Sequence, residues 1–122
     1  MEKMMTIEDF LTKVRSNPEA IEFAETIALI DSAYTFNPCA FTNGDLINQA
    51  GQNNGSCKIF SFANIHGLSE SATLALFGHY YRDDVLKNPQ GTDHQNIRNF
   101  MKTGWDGIKF SGQPLTRKST AG

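Results

Sequence analysis

The segment 57–66, CKIFSFANIH, constrains the fold of this chain of 122 residues more than any other stretch. Its apolar residues lie around most of a helical circumference, and such a helix is stable only when neighbouring elements cover it on all sides. Ser56 before the segment is a candidate helix cap, and Gly67 after it is a candidate stop. We therefore expect a helix over residues 57–66 at the centre of the hydrophobic core.

Amphipathic helices are predicted on both sides of this central helix. The first begins after Thr6, a candidate capping residue, and its apolar positions recur with helical spacing: Ile7, Phe10, Leu11 and Val14. Further helices are predicted after Asn17-Pro18, over residues 45–50, after Ser69, and from Thr92 or Asp93 to Thr103. The chain is therefore predicted to be mainly α, a compact bundle of about six short helices around the central one.

A short pair of β-strands is the one departure from helix in this prediction. Residues 34–41 have the pattern of extended chain and turn, and in residues 107–111 apolar Ile108 and Phe110 alternate with polar neighbours. We therefore expect these two segments to form a two-stranded β element.

The chain is predicted to hold one domain with one core. Its length is typical of a single domain, and 39% hydrophobic residues with nine Phe supply a core without a disulfide. Residues 1–112 are assigned to that domain. The polar residues 113–122 are predicted to form a flexible C-terminal tail.

Charge and hydropathy exclude two classes of partner. The net charge of -2 argues against nucleic acid, because binding to phosphates needs a basic surface. No apolar run approaches the ~20 residues that span a bilayer. No apolar signal-peptide core is visible, so we expect no membrane partner and a cytoplasmic location. Cys39 and Cys57 are expected to be free thiols.

Two polar stretches, 41–56 and 79–107, carry more polar side chains than packing requires, and each brackets a predicted helix start. Backbone N–H groups at a helix start are unpaired and carry a partial positive charge, so they attract anions. We therefore expect a polar pocket for a small anion or an acidic peptide. Its candidate residues are Asn43, Asp45, Asn53, Asn54, Tyr81, Arg82, Asp83, Asp93, His94, Arg98 and Trp105.

His94 and Arg98 are central to this prediction because they share one face of a predicted helix, one turn apart. With Asp93 beside them, they could bind an anion or move a proton. The alternative is structural: Asp93 caps the helix, while His94 and Arg98 pair with Asp83 or Asp84. Both interpretations stay open at this point.

A hydrolase or transferase would use His94 with Asp93 or Cys57. Cys57 lies near a predicted helix start, which favours the thiolate, although its apolar surroundings favour a small core residue instead. The glycine spacing in residues 51–58 does not fit a phosphate loop, and no HxxxH or HExxH pattern occurs, so no metal or cofactor is expected. Trp105 either fills the core or stacks on a ligand.

Three long strings of residues closely resemble the HopJ type III effector family of small bacterial proteins: NGDLINQAGQNNGSCKIFSFA, LFGHYYRDDVL and GTDHQNIRNFMKTGWDGIKF. The resemblance covers about residues 5–116. It implies delivery into a host cell through a type III secretion apparatus, and it implies no particular enzymatic activity. Only five residues precede the predicted first helix, so we favour a member that is not exported.

The sequence therefore leaves three functions open. The first is a non-enzymatic binding module for a small anion or a protein partner. The second is a small hydrolase or transferase that uses His94. The third is a secreted effector that acts on host proteins by contact alone.

Overall fold

The computed structural model describes residues 6–118, which pack around a hydrophobic core. These residues form five α-helices: α1 Ile7–Ser16, α2 Phe23–Ala33, α3 Asn54–Ile65, α4 Glu70–Ala75 and α5 Gln95–Thr103. A π-helical segment, Tyr80–Val85, lies between α4 and α5, and 3-10 turns cover Pro18–Ala20 and Gly104–Gly107. Within residues 6–118, no helix combines the length and the apolar character needed to cross a membrane.

The described residues also form five short strands: β1 Tyr34–Phe36, β2 Phe41–Asn43, β3 Leu46–Asn48, β4 Ile108–Phe110 and β5 Leu115–Arg117. All pairing is antiparallel. β1 pairs with β5, and β2 lies between β3 and β4. The mainly helical prediction is confirmed in this coarse form, with two small sheets added to it.

The buried central helix is confirmed in α3. Phe60 and Phe62 are both fully buried, and residues two apart point to different sides of a helix. The ring of Phe60 lies 5.0 Å from that of Phe100, whereas the ring of Phe62 lies 5.9 Å from those of Phe10 and Tyr34. Elements from both halves of the chain therefore cover α3 on different sides.

The start of α3 differs from the prediction. Asn54 is its first residue and Asn53 precedes it with a φ of 52°, so Ser56 lies inside the first turn and does not cap the helix. Asn tolerates positive φ better than most residues. The Asn53 side-chain amide also donates a hydrogen bond of 2.7 Å to Asn48 Oδ1, which ties this helix start to the β2–β3 hairpin.

Residues 46–48 form strand β3, so the predicted helix over residues 45–50 is wrong. Gly44 has a φ of 62°, which lets the chain reverse through two residues between the paired Asn43 and Leu46. Asn48 is 1% exposed, and its amide is bonded to groups distant in sequence. The apolar periodicity used to predict helices cannot reveal this residue, because Asn48 occupies a core position without being apolar.

The predicted pairing of residues 34–41 with residues 107–111 is correct only in part. Phe41 lies opposite Phe110, as expected. β1, however, pairs with β5, so the flexible tail predicted from residue 113 is wrong for residues 113–118. Leu115 is 1% exposed and fills the core, which explains why this polar segment is fixed. The rest of the predicted tail, residues 119–122, lies outside the described residues.

The helix predicted after Ser69 is interrupted at Gly78. Ser69 caps α4 as expected, since its hydroxyl accepts the Ala72 N–H at 3.1 Å. Gly78 then has a φ of 61° and leads the chain into the π-helical segment. A Cβ at Gly78 would lie 2.6 Å from the backbone nitrogen of Phe23, so the start of α2 passes where a side chain would be.

Replacing Gly78 by alanine is therefore expected to lower the free energy of unfolding by about 3 kcal/mol, from the left-handed backbone and from the clash together. Gly67→Ala is the matched control, because Gly67 has a φ of 62° and a Cβ at this position would meet nothing within 4 Å. It should lose only about 1 kcal/mol. Urea unfolding measures both free energies of unfolding. Equal losses in the two variants would show that the close approach of Phe23 adds nothing to the cost of a Cβ at Gly78.

A tyrosine–histidine pair, buried at the tyrosine and partly buried at the histidine, fastens β1 to the end of α3. Tyr34 is 3% exposed, and its hydroxyl oxygen lies 2.8 Å from Nε2 of His66, the residue that follows the helix. Burial lowers the pKa of His66 below 6.5, and the positive charge of Arg117 lowers it further, while Glu8 opposes them. The folded protein therefore favours neutral His66.

This shift predicts acid sensitivity with a defined sign. Above pH 6.5 His66 is neutral in the folded and unfolded chains, and its contribution to stability is complete. As the pH falls below 6.5, the unfolded chain binds the proton first, so stability is lost down through the lower folded pKa. Thermal unfolding of wild type and His66→Gln between pH 7.5 and pH 5 should show a smaller decline in the variant. His79→Gln, at an exposed position, should decline like wild type.

Candidate functional site

A cavity of about 490 Å³ opens between the starts of α2, α3 and α5 and the π-helical segment. Its volume falls in the range of about 300–1,000 Å³ that is typical of sites for small molecules. Its apolar lining residues are Phe23, Leu46, Phe77, Tyr80 and Ile97, and because three of them are aromatic we call this part of the lining the aromatic wall. A ligand in this cavity would therefore contact apolar side chains.

The polar lining residues, the polar wall, belong to the starts of two helices. Asn53, Gly55 and Ser56 belong to the start of α3, and His94, Gln95 and Asn96 belong to the start of α5. The first helical hydrogen bonds run from Cys57 N–H to the Asn53 carbonyl and from Arg98 N–H to the His94 carbonyl. The N–H groups before these bonds have no partner within their helices.

The residues that precede the two helices share an unusual backbone conformation. Asn53 has a φ of 52° and His94 a φ of 50°, and they are the non-glycine residues with positive φ within residues 6–118. Neither side chain forms a capping hydrogen bond with its helix. Both residues line the same cavity. Uncommon backbone conformations of this kind are concentrated at functional sites in proteins.

His94 is held at the cavity by a carboxylate and a ring. Its Nε2 atom lies 3.0 Å from Oδ2 of Asp84 and 3.8 Å from Oδ2 of Asp93. Its ring centroid lies 5.2 Å from that of Tyr80. The side chain of His94 remains 28% exposed, so the imidazole is fixed and still accessible. It can therefore hydrogen-bond a ligand. The structural alternative expected Asp83 or Asp84 as the partner of His94, and the partner is Asp84.

A buried network of asparagines connects the two helix starts. Asn96 Nδ2 and Asn53 Nδ2 donate to the same oxygen, Asn48 Oδ1, at 3.0 and 2.7 Å. Asn43 Nδ2 donates to the Asn96 carbonyl at 2.7 Å and to its Oδ1 at 3.0 Å. Asn43 Oδ1 is buried without a hydrogen-bond partner among the described residues. Asn53 thus lies at the cavity, while the predicted site residue Asn43 lies behind it in this network.

Arg98, a predicted anion-binding residue, lines a different cavity of about 420 Å³. Its guanidinium donates to the carbonyls of Asp93 and Asn88 at 2.6 and 2.8 Å and to Asp93 Oδ1 at 2.6 Å. The hydrogen bond from Arg98 lowers the pKa of the Asp93 carboxyl. Arg98 therefore closes the loop that leads to His94, and Asp93 binds this guanidinium without capping α5.

Three further predicted residues form contacts away from the cavity. Arg82 donates to the Ile21 carbonyl at 2.8 Å and pairs with Glu22 at 2.9 Å. Asp83 pairs with Lys87 at 3.0 Å, and the hydrogen bond and charge of Lys87 lower the pKa of this carboxyl. Tyr81 lies with Arg82 beside a separate, smaller depression. These residues hold the π-helical segment and do not line the cavity.

The remaining predicted residues also lie outside the cavity. Asp45 is exposed in the hairpin turn, and Asn54 is exposed at the first position of α3. Trp105 is partly buried against the core: its ring packs edge-on against Phe100 at 5.1 Å and its Nε1 donates to the Leu68 carbonyl at 3.0 Å. The interpretation of Trp105 as a ligand-stacking residue is therefore not supported by its contacts.

Several cavity residues were not predicted, among them Phe23, Ser56, Tyr80, Gln95 and Asn96. The last two follow His94 at the start of α5, so the rule that helix starts bind ligands could have found them. Phe23 and Tyr80 carry no such signal, because a partly exposed aromatic ring and a core ring have the same periodicity in sequence.

The geometry around Cys57 does not suit a nucleophile. The residue is 1% exposed, and burial raises the pKa of its thiol to about 11. Its Sγ atom lies 3.9 Å from the carbonyl oxygen of Cys39, as a weak donor. Within residues 6–118, no group of three or more His, Cys, Asp or Glu side chains could hold a metal ion. The structure thus supports the interpretation of Cys57 as a core residue.

Fold and site together define a small, mainly helical protein with a cavity lined by aromatic and polar side chains. The chain belongs to the HopJ type III effector protein family, whose model matches residues 7–115. The resemblance seen in the sequence is thereby confirmed. A crystal structure of a protein of unknown function, VPA0580, is similar, with a TM-score of 0.94 and 52% identity over 97% of this chain and 98% of that chain. No curated protein matches the chain.

Proposed function

We propose that the protein is a non-enzymatic binding module whose cavity takes a small ligand with an anionic group. The observation that carries the proposal is the meeting of two helix starts, at Asn53 and His94, in one cavity of about 490 Å³. Neither start is capped by its preceding side chain. An oxygen-rich group of a ligand could accept hydrogen bonds from both.

The electrostatics of the cavity favour a ligand of modest negative charge. Each helix start carries about half a positive charge, and these charges act within the first turn. No Lys, Arg, Asp or Glu is among the described residues that line the cavity. The carboxylate of Asp84 is hydrogen-bonded to His94 at 3.0 Å. The helix starts are therefore the groups that would balance the charge of the ligand.

A second candidate, a hydrolase or transferase that uses His94, stays a prediction. The hydrogen bond between Asp84 and His94 favours it, because a carboxylate commonly orients a catalytic imidazole. Cys57 is not part of this candidate, since its thiol is buried. We favour binding because no nucleophilic side chain is hydrogen-bonded to His94 among the described residues.

Filling the cavity tests the proposal. Ser56→Trp places a large ring on the polar wall and is expected to abolish the binding of acetate, measured from shifts of the backbone amide signals of Gly55, Ser56, Gln95 and Asn96. The matched control is Asn64→Trp, at an exposed position of the same helix, which should bind acetate like wild type.

Thermal unfolding of both tryptophan variants establishes that they are folded. Should Ser56→Trp fail to fold, His94→Gln takes its place, and it is expected to bind acetate several-fold more weakly because one polar partner is altered. Acetate shifts that are the same in wild type and in the cavity variants, or shifts confined to other parts of the protein, would overturn the proposal.

Family membership favours a further proposal about the location of the protein, namely secretion into a host cell. An export signal read from α1 would require this helix to unfold, because its apolar face, including Phe10 and Val14, is buried in the core. We therefore expect most of the protein in the cell fraction. Accumulation in the culture supernatant that depends on a type III apparatus would instead establish the secreted effector.

A further inference from the structure

We infer that the ligand of the cavity is a planar aromatic ring that carries a single carboxylate. This inference rests on the proposed anion-binding function and specifies the chemical class of the ligand. It is carried by the aromatic wall, by the distance between that wall and the start of α3, and by the charge of the lining residues.

The aromatic wall presents a corner built from two rings. Phe23 and Tyr80 have ring centroids 5.0 Å apart and an interplanar angle of 72°, so one ring meets the other edge to face. Both side chains are only partly buried, and both line the cavity. Aromatic pairs favour edge-to-face and offset geometries, and a flat ring in the cavity could add such a contact.

The apolar and polar walls lie within the length of one small molecule. A Cβ at Gly55 would lie 2.8 Å from Cζ of Phe23, so the tip of this ring rests directly against the first turn of α3. The imidazole of His94 likewise lies 5.2 Å from the ring of Tyr80, centroid to centroid. A ligand could therefore place a ring on the aromatic wall and, one or two bonds away, an acidic group at the helix starts.

The charge of the residues that line the cavity limits the number of acidic groups on the ligand. Sites for di- and triphosphates use Lys, Arg or a metal to balance several negative charges. None of the described lining residues is Lys or Arg, and the described residues offer no metal cluster. Two helix starts with about half a positive charge each match one carboxylate. An inorganic anion alone would leave the aromatic wall in contact with water.

The test compares three carboxylates that differ only in what is attached to the acid: acetate, cyclohexylacetate and phenylacetate. Binding to the full-length protein is measured by titration of the backbone amide signals of Gly55, Ser56, Gln95 and Asn96. Phenylacetate is expected to bind about tenfold tighter than acetate and also tighter than cyclohexylacetate, because a ring contact adds to burial. Burial alone would favour cyclohexylacetate, which has the larger apolar surface.

Two variants of one residue assign this preference to the aromatic wall. Tyr80→Leu keeps an apolar side chain and removes the ring, so the ratio of the phenylacetate affinity to the cyclohexylacetate affinity should fall to one or below. Tyr80→Phe keeps the ring and should retain the wild-type ratio. Thermal unfolding shows whether each variant is folded, and Phe23→Leu replaces Tyr80→Leu if the latter is not.

Failure of this inference can be told apart from failure of the proposed function. If acetate moves the four amide signals and phenylacetate binds no tighter, the aromatic ligand class is wrong and the anion site stands. Equal binding of cyclohexylacetate and phenylacetate, or much tighter binding of phenyl phosphate than phenylacetate, also overturns the class. If none of the carboxylates moves these signals, the proposed function itself fails.

Discussion

The helix α3 is covered by other elements on more than one side, and this burial is the constraint on which the rest of the structure depends. Phe60 and Phe62 are fully buried in contact with different parts of the chain, so elements before and after α3 must close around it. Burying two Phe side chains contributes roughly 4 kcal/mol, which is large beside a typical net stability. Most surface charge pairs contribute far less. The position of α3 therefore fixes the positions of its neighbours.

A helix enclosed in this way still has to begin somewhere, and its start determines the candidate site. The first turn of α3 lies at the cavity beside the first turn of α5, and the asparagine network around Asn48 fixes the spacing between them. The loop before α5 is closed by Arg98, which binds two carbonyls and one carboxylate. Asn43 and Arg98, which the sequence analysis placed at the ligand, thus do not line the cavity and instead hold the elements around it.

Sequence reasoning succeeded where one local pattern had one structural solution. The all-round apolar segment at residues 57–66 lies in the buried helix α3, as expected. The assignment of Asn53 and His94 to a ligand site stays a prediction. Sequence reasoning failed where contacts between residues distant in sequence determine the local structure. Asn48 is buried because its partner Asn96 lies 48 positions away, and β5 is fixed because Leu115 enters the core. The direction of the Arg98 guanidinium is likewise set by a loop conformation that no periodicity reveals.

The most direct test of the account is a crystal structure of the protein with phenylacetate. The account predicts the ligand in the cavity, with its ring against Phe23 and Tyr80 and its carboxylate within hydrogen-bond distance of N–H groups in the first turns of α3 and α5. An empty cavity at saturating phenylacetate, or a ligand bound elsewhere while these helix starts stay free, would contradict the claim that the two helix starts form one binding site.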